Sequence, residues 1–118
     1  MDLIQKINSY RAYEGRGPLH YDKALTRCAR GHSRHTFEHG QFQGHTNPEG
    51  DDWSARMAKN GIEYSESGEN ISYGAFSPQE AFNGWLNSPA HRHNMLRECY
   101  TRVGVGYHGS VWTANFAR

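Results

Sequence analysis

An α+β fold, with a small antiparallel sheet covered by helices, is what this sequence predicts. Two observations carry the prediction. Up to residue 96 the apolar residues recur mostly with the three-to-four spacing of helices, interrupted by Gly, Pro, Asn and Asp. From Val103 onward the period drops to two, in two short stretches joined by a Gly-containing turn. Helices first and strands last pack as separate layers around a shared core. The 118 residues are one domain's length, and a chain of that size buries about two-thirds of its unfolded surface. One domain spanning residues 1–118 is therefore expected.

The elements follow in order. Leu3, Ile4, Ile7, Tyr10 and Arg11 share one helical face, which predicts a first helix over 2–13 with Asp2 as N-cap. Gly15-Arg16-Gly17-Pro18 ends it, since Pro does not continue a helix. Leu19 and Tyr21 lead to Asp22, a second N-cap. Ala24, Leu25, Cys28, Ala29 and His32 then space out a second helix, which runs to about His39 and stops at Gly40. Residues 40–52, rich in Gly, Asn, Pro and Asp, read as a loop. Asp51 or Asp52 caps a third helix through Lys59, with Trp53, Met57 and Ala58 on its apolar side and Asn60-Gly61 as its stop. Ile62, Tyr64 and then Glu69 to Tyr73 suggest a strand. Ser77-Pro78-Gln79-Glu80 is a helix start with Pro at the first position and a capping box. Ala81, Phe82, Trp85 and Leu86 are that helix's apolar face, and Ser88-Pro89 begins another short helix through Leu96. Val103, Val105 and Tyr107 alternate with Gly104 and Gly106, His108 to Ser110 turn, and Val111 to Phe116 returns as the second strand of a hairpin.

Composition narrows the function classes. Hydrophobic residues make up only 36%, but three Trp, seven Tyr and five Phe bury much area per residue, so the chain reads as folded. Thirteen basic against twelve acidic side chains, with no basic stripe interleaved with aromatics, give no expectation of nucleic-acid binding. Eight His make the charge strongly pH-dependent between pH 7 and 5. No apolar run is long enough to span a membrane. No signal-peptide pattern opens the chain, which reads as a mature domain or a piece of a longer precursor, with a cytoplasmic or phage-encoded origin as the alternative. The two Cys, Cys28 and Cys99, lack zinc-site spacing. They either pair, closing a loop worth roughly 4 kcal/mol in chain entropy, or stay as two free thiols.

Three segments carry chemistry. In Trp85-Leu86-Asn87-Ser88-Pro89-Ala90-His91, the His falls in the first turn of a new helix. Free backbone N–H groups and the helix dipole disfavour its protonation there, leaving a neutral imidazole suited to metal binding or proton transfer. In Gly68-Glu69-Asn70-Ile71, period two puts Glu69 and Ile71 on one face and Asn70 on the other. A core-facing Glu needs a His, Arg or metal partner. His45 lies in a polar loop, Gly44 to Pro48. His45, His91 and Glu69 together would make a two-His, one-carboxylate set, which suits zinc with an open coordination position. Each residue also has a plain structural alternative: His91 tying loops together, Glu69 satisfying loop amides, His45 as an ordinary surface ring. His32, His35 and His39 share a face of the second helix, but no zinc-protease motif is present.

Seven of these pieces, in this order, resemble the CAP superfamily of cysteine-rich secretory, antigen 5 and pathogenesis-related proteins, in its compact bacterial SCP-like branch. They are Ile7 to Arg11 with Gly17-Pro18-Leu19; Leu25 to His35; His45-Thr46-Asn47-Pro48; Gly68 to Ile71; Trp85 to Arg92 with Asn94; Val103 to Gly106; and Trp112 to Phe116. The resemblance implies a three-layer α/β/α sandwich around a small central antiparallel sheet. It also implies a groove lined by two His and two acidic residues. His45, Glu69 and His91 match three of those places, and Ser88 stands at the fourth. Some members of the family hold a divalent metal, often zinc, on the two His.

The leading expectation is an extracellular or cell-envelope domain, monomeric, whose groove of His45, Glu69, Asn70, Ser88 and His91 binds a small-molecule or peptide ligand. Zn²⁺ or another divalent cation on His45 and His91 would be its cofactor. Tyr73, Trp85 and Trp112 either line this groove or pack in the core. The alternative is a zinc-assisted, protease-like hydrolase with Glu69 and His91 as its catalytic groups. One Glu, however, does not easily serve as both ligand and base. A third reading, lipid or sterol binding, requires an apolar cleft beyond the polar groove.

Overall fold

The computed structural model describes residues 2–39, 45–47 and 50–118. Among them the elements run α1 (Asp2–Tyr13), β1 (His20–Tyr21), α2 (Lys23–His39), α3 (Trp53–Lys59), β2 (Ser67–Tyr73), α4 (Pro78–Leu86), α5 (Pro89–Leu96), β3 (Arg102–His108) and β4 (Val111–Ala117). The strands form one sheet in the order β1-β3-β4-β2. β4 pairs antiparallel with both β3 and β2. The two residues of β1 add a parallel edge, His20 opposite Arg102 and Tyr21 opposite Val103. The antiparallel sheet expected from the sequence is thus extended into a mixed one. The Leu19–Tyr21 stretch was too short to signal a strand by its own pattern.

Strand periodicity divides the core. Val103 and Val105 of β3 and Trp112, Ala114 and Phe116 of β4 join Leu3, Ile4, Ile7, Ala81, Trp85 and Met95 from α1, α4 and α5. The opposite face meets α2 and α3, where Leu25, Cys28 and Met57 cluster with Ile62 and Ala117. The result is a three-layer α/β/α sandwich. Each fully buried large apolar side chain contributes about 1.5–3 kcal/mol. α2 lies so close to β3 that a Cβ on Gly104 would stand 2.1 Å from the Thr26 nitrogen, and one on Gly106 2.3 Å from the Arg30 nitrogen. The Gly residues of β3 are what let the helix backbone reach the strand.

The helix caps follow the sequence in part. Asp22 accepts from the Leu25 N–H and Asp52 from the Ala55 N–H, as N-caps do. Ser77 caps α4 by accepting from the Glu80 N–H. The Glu80 carboxylate, however, accepts from the Phe76 N–H at 3.4 Å rather than closing a box on Ser77. Asp2 is the first helical residue of α1, where its charge complements the dipole, and not the cap. Ser88 precedes α5 but makes no side-chain cap bond. On α3, Arg56 is buried and Ala58 is exposed. Ile62 to Tyr64 form no strand. Gly40, the expected stop of α2, and the loop positions 41–44 and 48–49 lie outside the described residues.

Cys28 and Cys99 are free thiols, so the disulfide alternative is corrected. The sheet separates them: Cys28 packs with the α2–α3 cluster and Cys99 against the cluster on the other face. Burial pushes the Cys28 thiol up to about 11, so it is no nucleophile at neutral pH.

α5 carries one candidate site residue and is anchored at both ends. The buried Arg11 guanidinium donates to the carbonyls of Met95 and Arg97 and to Gly17 O, closing the C-terminus of α5 with a cation. Toward the N-terminus, Asn70 Nδ2 donates to the His91 carbonyl at 3.0 Å.

Candidate functional site

Glu69 is the centre of the site. It stands on β2 opposite Asn115 of β4, and its side chain has no solvent exposure. Its two oxygens accept four hydrogen bonds. Oε1 takes the His45 Nδ1–H at 2.8 Å and Arg56 Nη2 at 2.9 Å. Oε2 takes Arg56 Nη1 at 2.9 Å and Asn115 Nδ2 at 2.7 Å. The Arg56 contact is a two-pronged guanidinium–carboxylate pair, the geometry in which arginine binds most strongly. Burial alone would raise the Glu69 pKa. The hydrogen bonds from His45 and Arg56 and the Arg56 charge outweigh it and hold the carboxyl below its ordinary value. The buried group is therefore an ionised acceptor with its lone pairs occupied.

That state fixes His45. An ionised carboxylate only accepts, so Nδ1 carries a proton and Nε2 is the ring nitrogen that Glu69 does not engage. The His45 side chain is 44% exposed. Arg56 Nη2 also donates to the His45 carbonyl at 2.8 Å, so one guanidinium holds both the carboxylate and the main chain of the loop. The His45 ring meets Trp53 of α3 edge to face, with centroids 5.4 Å apart.

His91, third residue of α5, is partly buried. Burial first, and the nearby His45 charge second, lower its pKa and favour the neutral ring. Asn70 is fully buried, on the face of β2 away from Glu69, and holds the His91 carbonyl rather than facing solvent. Asn94 Nδ2 donates to Asn70 Oδ1 at 3.0 Å and to the Glu69 carbonyl at 3.3 Å. A polar chain thus runs from the strand of Glu69 to the helix of His91. The structure brings His45 and Glu69 into direct contact, with His91 within electrostatic reach of His45. Ser88 sits three residues before His91 as the α5 N-cap, its hydroxyl uncommitted to the helix.

Other expectations are placed elsewhere. Trp85 and Trp112 are core residues, and Trp112 Nε1 donates to Ala75 O. Tyr73 is 38% exposed. On α2, His32 is buried while His39 is exposed and spends its Nδ1 on the His35 carbonyl. Among the described residues no group of three or more His, Cys, Asp or Glu side chains is arranged to hold a metal ion.

Sequence reasoning missed Arg56, Asn115 and Trp53. A signal existed for Arg56: it lies three positions after Trp53 and beside Met57, on the inward side of a seven-residue helix. Asn115 alternates with Trp112, Ala114 and Phe116, and a polar residue in that pattern normally signals solvent. Here α2 and Glu69 cover that face.

Chemically, the site presents the Nε2 of an imidazole aimed by a buried carboxylate, beside a second imidazole whose neutral form burial favours. Such a pair can accept hydrogen bonds from a ligand or supply two neutral nitrogen donors.

Comparison with known proteins bears on the same residues. Residues 4–116 match the family model described as CAP, cysteine-rich secretory protein family. The chain is 35% identical over 116 residues to YkwD of Bacillus subtilis (strain 168), covering 97% of this chain and 45% of that protein. It resembles an extracellular protein containing an SCP domain from Bacillus anthracis str. Ames, with TM-score 0.95 and 29% identity, over 99% of this chain and 39% of the other. It also superimposes on an outer surface protein of Borrelia burgdorferi, with TM-score 0.86 and 20% identity, over 98% of this chain and 89% of that one. The chain spans under half the length of both Bacillus proteins.

Proposed function

The chain belongs to the CAP family of cysteine-rich secretory proteins, and from that premise we propose that it is an extracellular or cell-envelope binding domain whose working site is the His45–His91 pair. The pair receives a divalent cation, or a polar or peptide-like ligand directly. The observation that carries this reading is the 2.8 Å bond from His45 Nδ1 to the buried Glu69. A carboxylate behind an imidazole is the arrangement that orients histidine as a metal ligand and raises its basicity. His91, held neutral, supplies the second nitrogen. The donor set fits zinc or a similar borderline cation, with water or ligand oxygens completing the coordination. A bound ion would supply a positive centre for ligand oxygens.

Glu69 itself is neither ligand nor base in this reading, because Arg56, Asn115 and His45 take its acceptor positions. Its role is to aim His45. A hydrolytic reading would lose its carboxylate base and rest on His91 alone, which makes binding the better account. The extracellular setting draws on the similar Bacillus anthracis protein, which is described as extracellular.

Lipid binding is a second reading with one observation in its favour. A cleft of about 740 Å³ between α1 and α4 is lined by Tyr10, Tyr13, Phe82 and Leu86 together with polar side chains. Displacement of a fluorescent fatty acid, lost on Phe82→Asp, would support it; no binding would remove it.

Calorimetric zinc titration of the chelator-treated chain tests the main reading. One-to-one binding at micromolar affinity or better is expected, abolished in His45→Ala and in His91→Ala. Glu69→Gln should weaken it about 10–100-fold. Binding that survives both His substitutions, or none at all, would remove the metal and leave direct ligand recognition.

A further inference from the structure

A second cleft, of about 410 Å³, lies between α5 and the segment that follows α1. Its α5 wall is a single helical row, Pro89, Arg92, His93 and Leu96, continued by Arg97 and the exposed Glu98, and Arg16 faces it from the chain after α1. His91 is not among the lining residues, so this cleft is distinct from the imidazole site.

The state of its cations is informative. Arg92 Nη1 donates to the Leu86 carbonyl at 2.9 Å, and no carboxylate pairs with it among the described residues. Arg16 Nε donates to the Leu96 carbonyl at 2.8 Å. Among the described residues its one carboxylate contact is Glu98, at 3.5 Å and 78% exposed, a pair that solvent screens heavily. Arg97, by contrast, is paired with Glu66. Both guanidinium groups are therefore held in place by main-chain carbonyls, Arg92 with no carboxylate partner among the described residues and Arg16 with the exposed Glu98 at 3.5 Å, and each keeps N–H groups for another acceptor. Fixing a charged fork in advance lowers the ordering cost of binding. The fork geometry matches the oxygens of a phosphate. Pro89 and Leu96 give the cleft apolar walls beside the cations, and its size suits a small organic ester.

We propose that this cleft binds a phosphate-bearing anion, with Arg92 and Arg16 as the residues that grip the phosphoryl oxygens. The claim is independent of any metal at His45 and His91, and it is tested on chelator-treated protein. The ¹⁵N-labelled chain is titrated with inorganic phosphate, then with glycerol 3-phosphate, with chloride held constant. Co-sedimentation with phosphatidylglycerol vesicles is run against phosphatidylcholine vesicles. Saturable shifts confined to Arg16, Arg92, His93 and Arg97 are expected. Arg92→Gln should weaken binding about ten-fold or more, the loss of one charge-assisted contact. Arg92→Lys, which keeps the charge and loses the fork, should fall between. Response to the soluble esters identifies a soluble ligand. Response to phosphatidylglycerol vesicles alone, lost in Arg92→Gln, identifies a lipid headgroup. No response from any of the three probes overturns the proposal. So does an Arg16→Gln/Arg92→Gln protein with unchanged melting temperature that binds as the parent does. If that double variant fails to fold, the shift map of the unaltered chain decides, and shifts outside the cleft overturn it.

Discussion

Replacing Glu69 by Gln changes one atom in the site and should cost the fold a large part of its stability. Each carboxylate oxygen accepts two donors, and each pair includes one Arg56 nitrogen. Whichever way the amide points, its NH₂ group faces an Arg56 N–H and one further donor. Asn115 can turn its own amide to relieve one clash, because its Oδ1 has no partner among the described residues. Arg56 cannot, and its side chain is only 7% exposed. A buried charge deprived of its partner costs about 3–5 kcal/mol. Against a typical total of about 5–15 kcal/mol this is severe, and for a domain of this size it lowers the melting temperature on the order of 10–20 °C. Urea unfolding followed by tryptophan fluorescence at pH 7 measures it. Adding Arg56→Met should recover part of the loss, with a coupling of about 1–3 kcal/mol in the double-mutant cycle. A loss below about 1 kcal/mol for Glu69→Gln would refute the reasoning, since it would mean the carboxylate is hydrated and the network is not what holds the site.

The same network sets a pH dependence. Glu69 has a folded-state pKa below its ordinary value of 4.5, so its contribution is complete above that value and is lost as the pH falls through the lower folded one. The parent should lose stability below about pH 4.5, and Glu69→Gln should lose less; parallel curves would count against the assignment. His91 should titrate below 6.5 by NMR, and His45→Ala should raise its pKa part of the way back, since burial, the larger cause, remains. An unchanged value would mean the two rings do not sense one another. Gly104→Ala would set a methyl 2.1 Å from the Thr26 nitrogen and 2.2 Å from the Leu25 carbonyl carbon. Backbone does not step aside as a side chain does, so the loss by chemical denaturation should reach about 3 kcal/mol or more. Gly84→Ala in α4 meets nothing within 4 Å and should be neutral or stabilising by up to about 1 kcal/mol. Equal effects at the two positions would contradict the close approach of α2 to β3.

Local patterns were legible where one segment's own residues decide the outcome. The bounds of α1 at Asp2 and Tyr13, of α3 at Lys59 and of α4 and α5 at Pro78 and Pro89 follow from periodicity and from Pro, Asp and Gly placement. The hairpin of β3 and β4 follows from alternation around Gly109, whose φ of 59° suits glycine. The opposite facing of Glu69 and Asn70 is likewise a property of strand geometry. Chemistry-bearing residues could be singled out too, because a Glu beside an apolar strand and a His in a helix's first turn are unusual in themselves.

Partners were not legible, because a pairing depends on which segments the sheet brings together. Glu69 needed a His, an Arg or a metal, and the sequence offered all three. The fold supplies both His45 and Arg56, with Asn115 besides, and so occupies both oxygens of the carboxylate. The two Cys were equally able to pair or to stay apart until the sheet put them on opposite faces. The carbonyls that hold Arg16 and Arg92 belong to Leu96 and Leu86, the first of them 80 residues away along the chain. The sequence by itself determined the helices, the hairpin and the residue types of the site, since backbone propensity and hydrophobic period act within a few residues. Only the tertiary structure decided which charges are neutralised and which nitrogens remain open, because hydrogen bonding and desolvation depend on distance in space, not on separation along the chain.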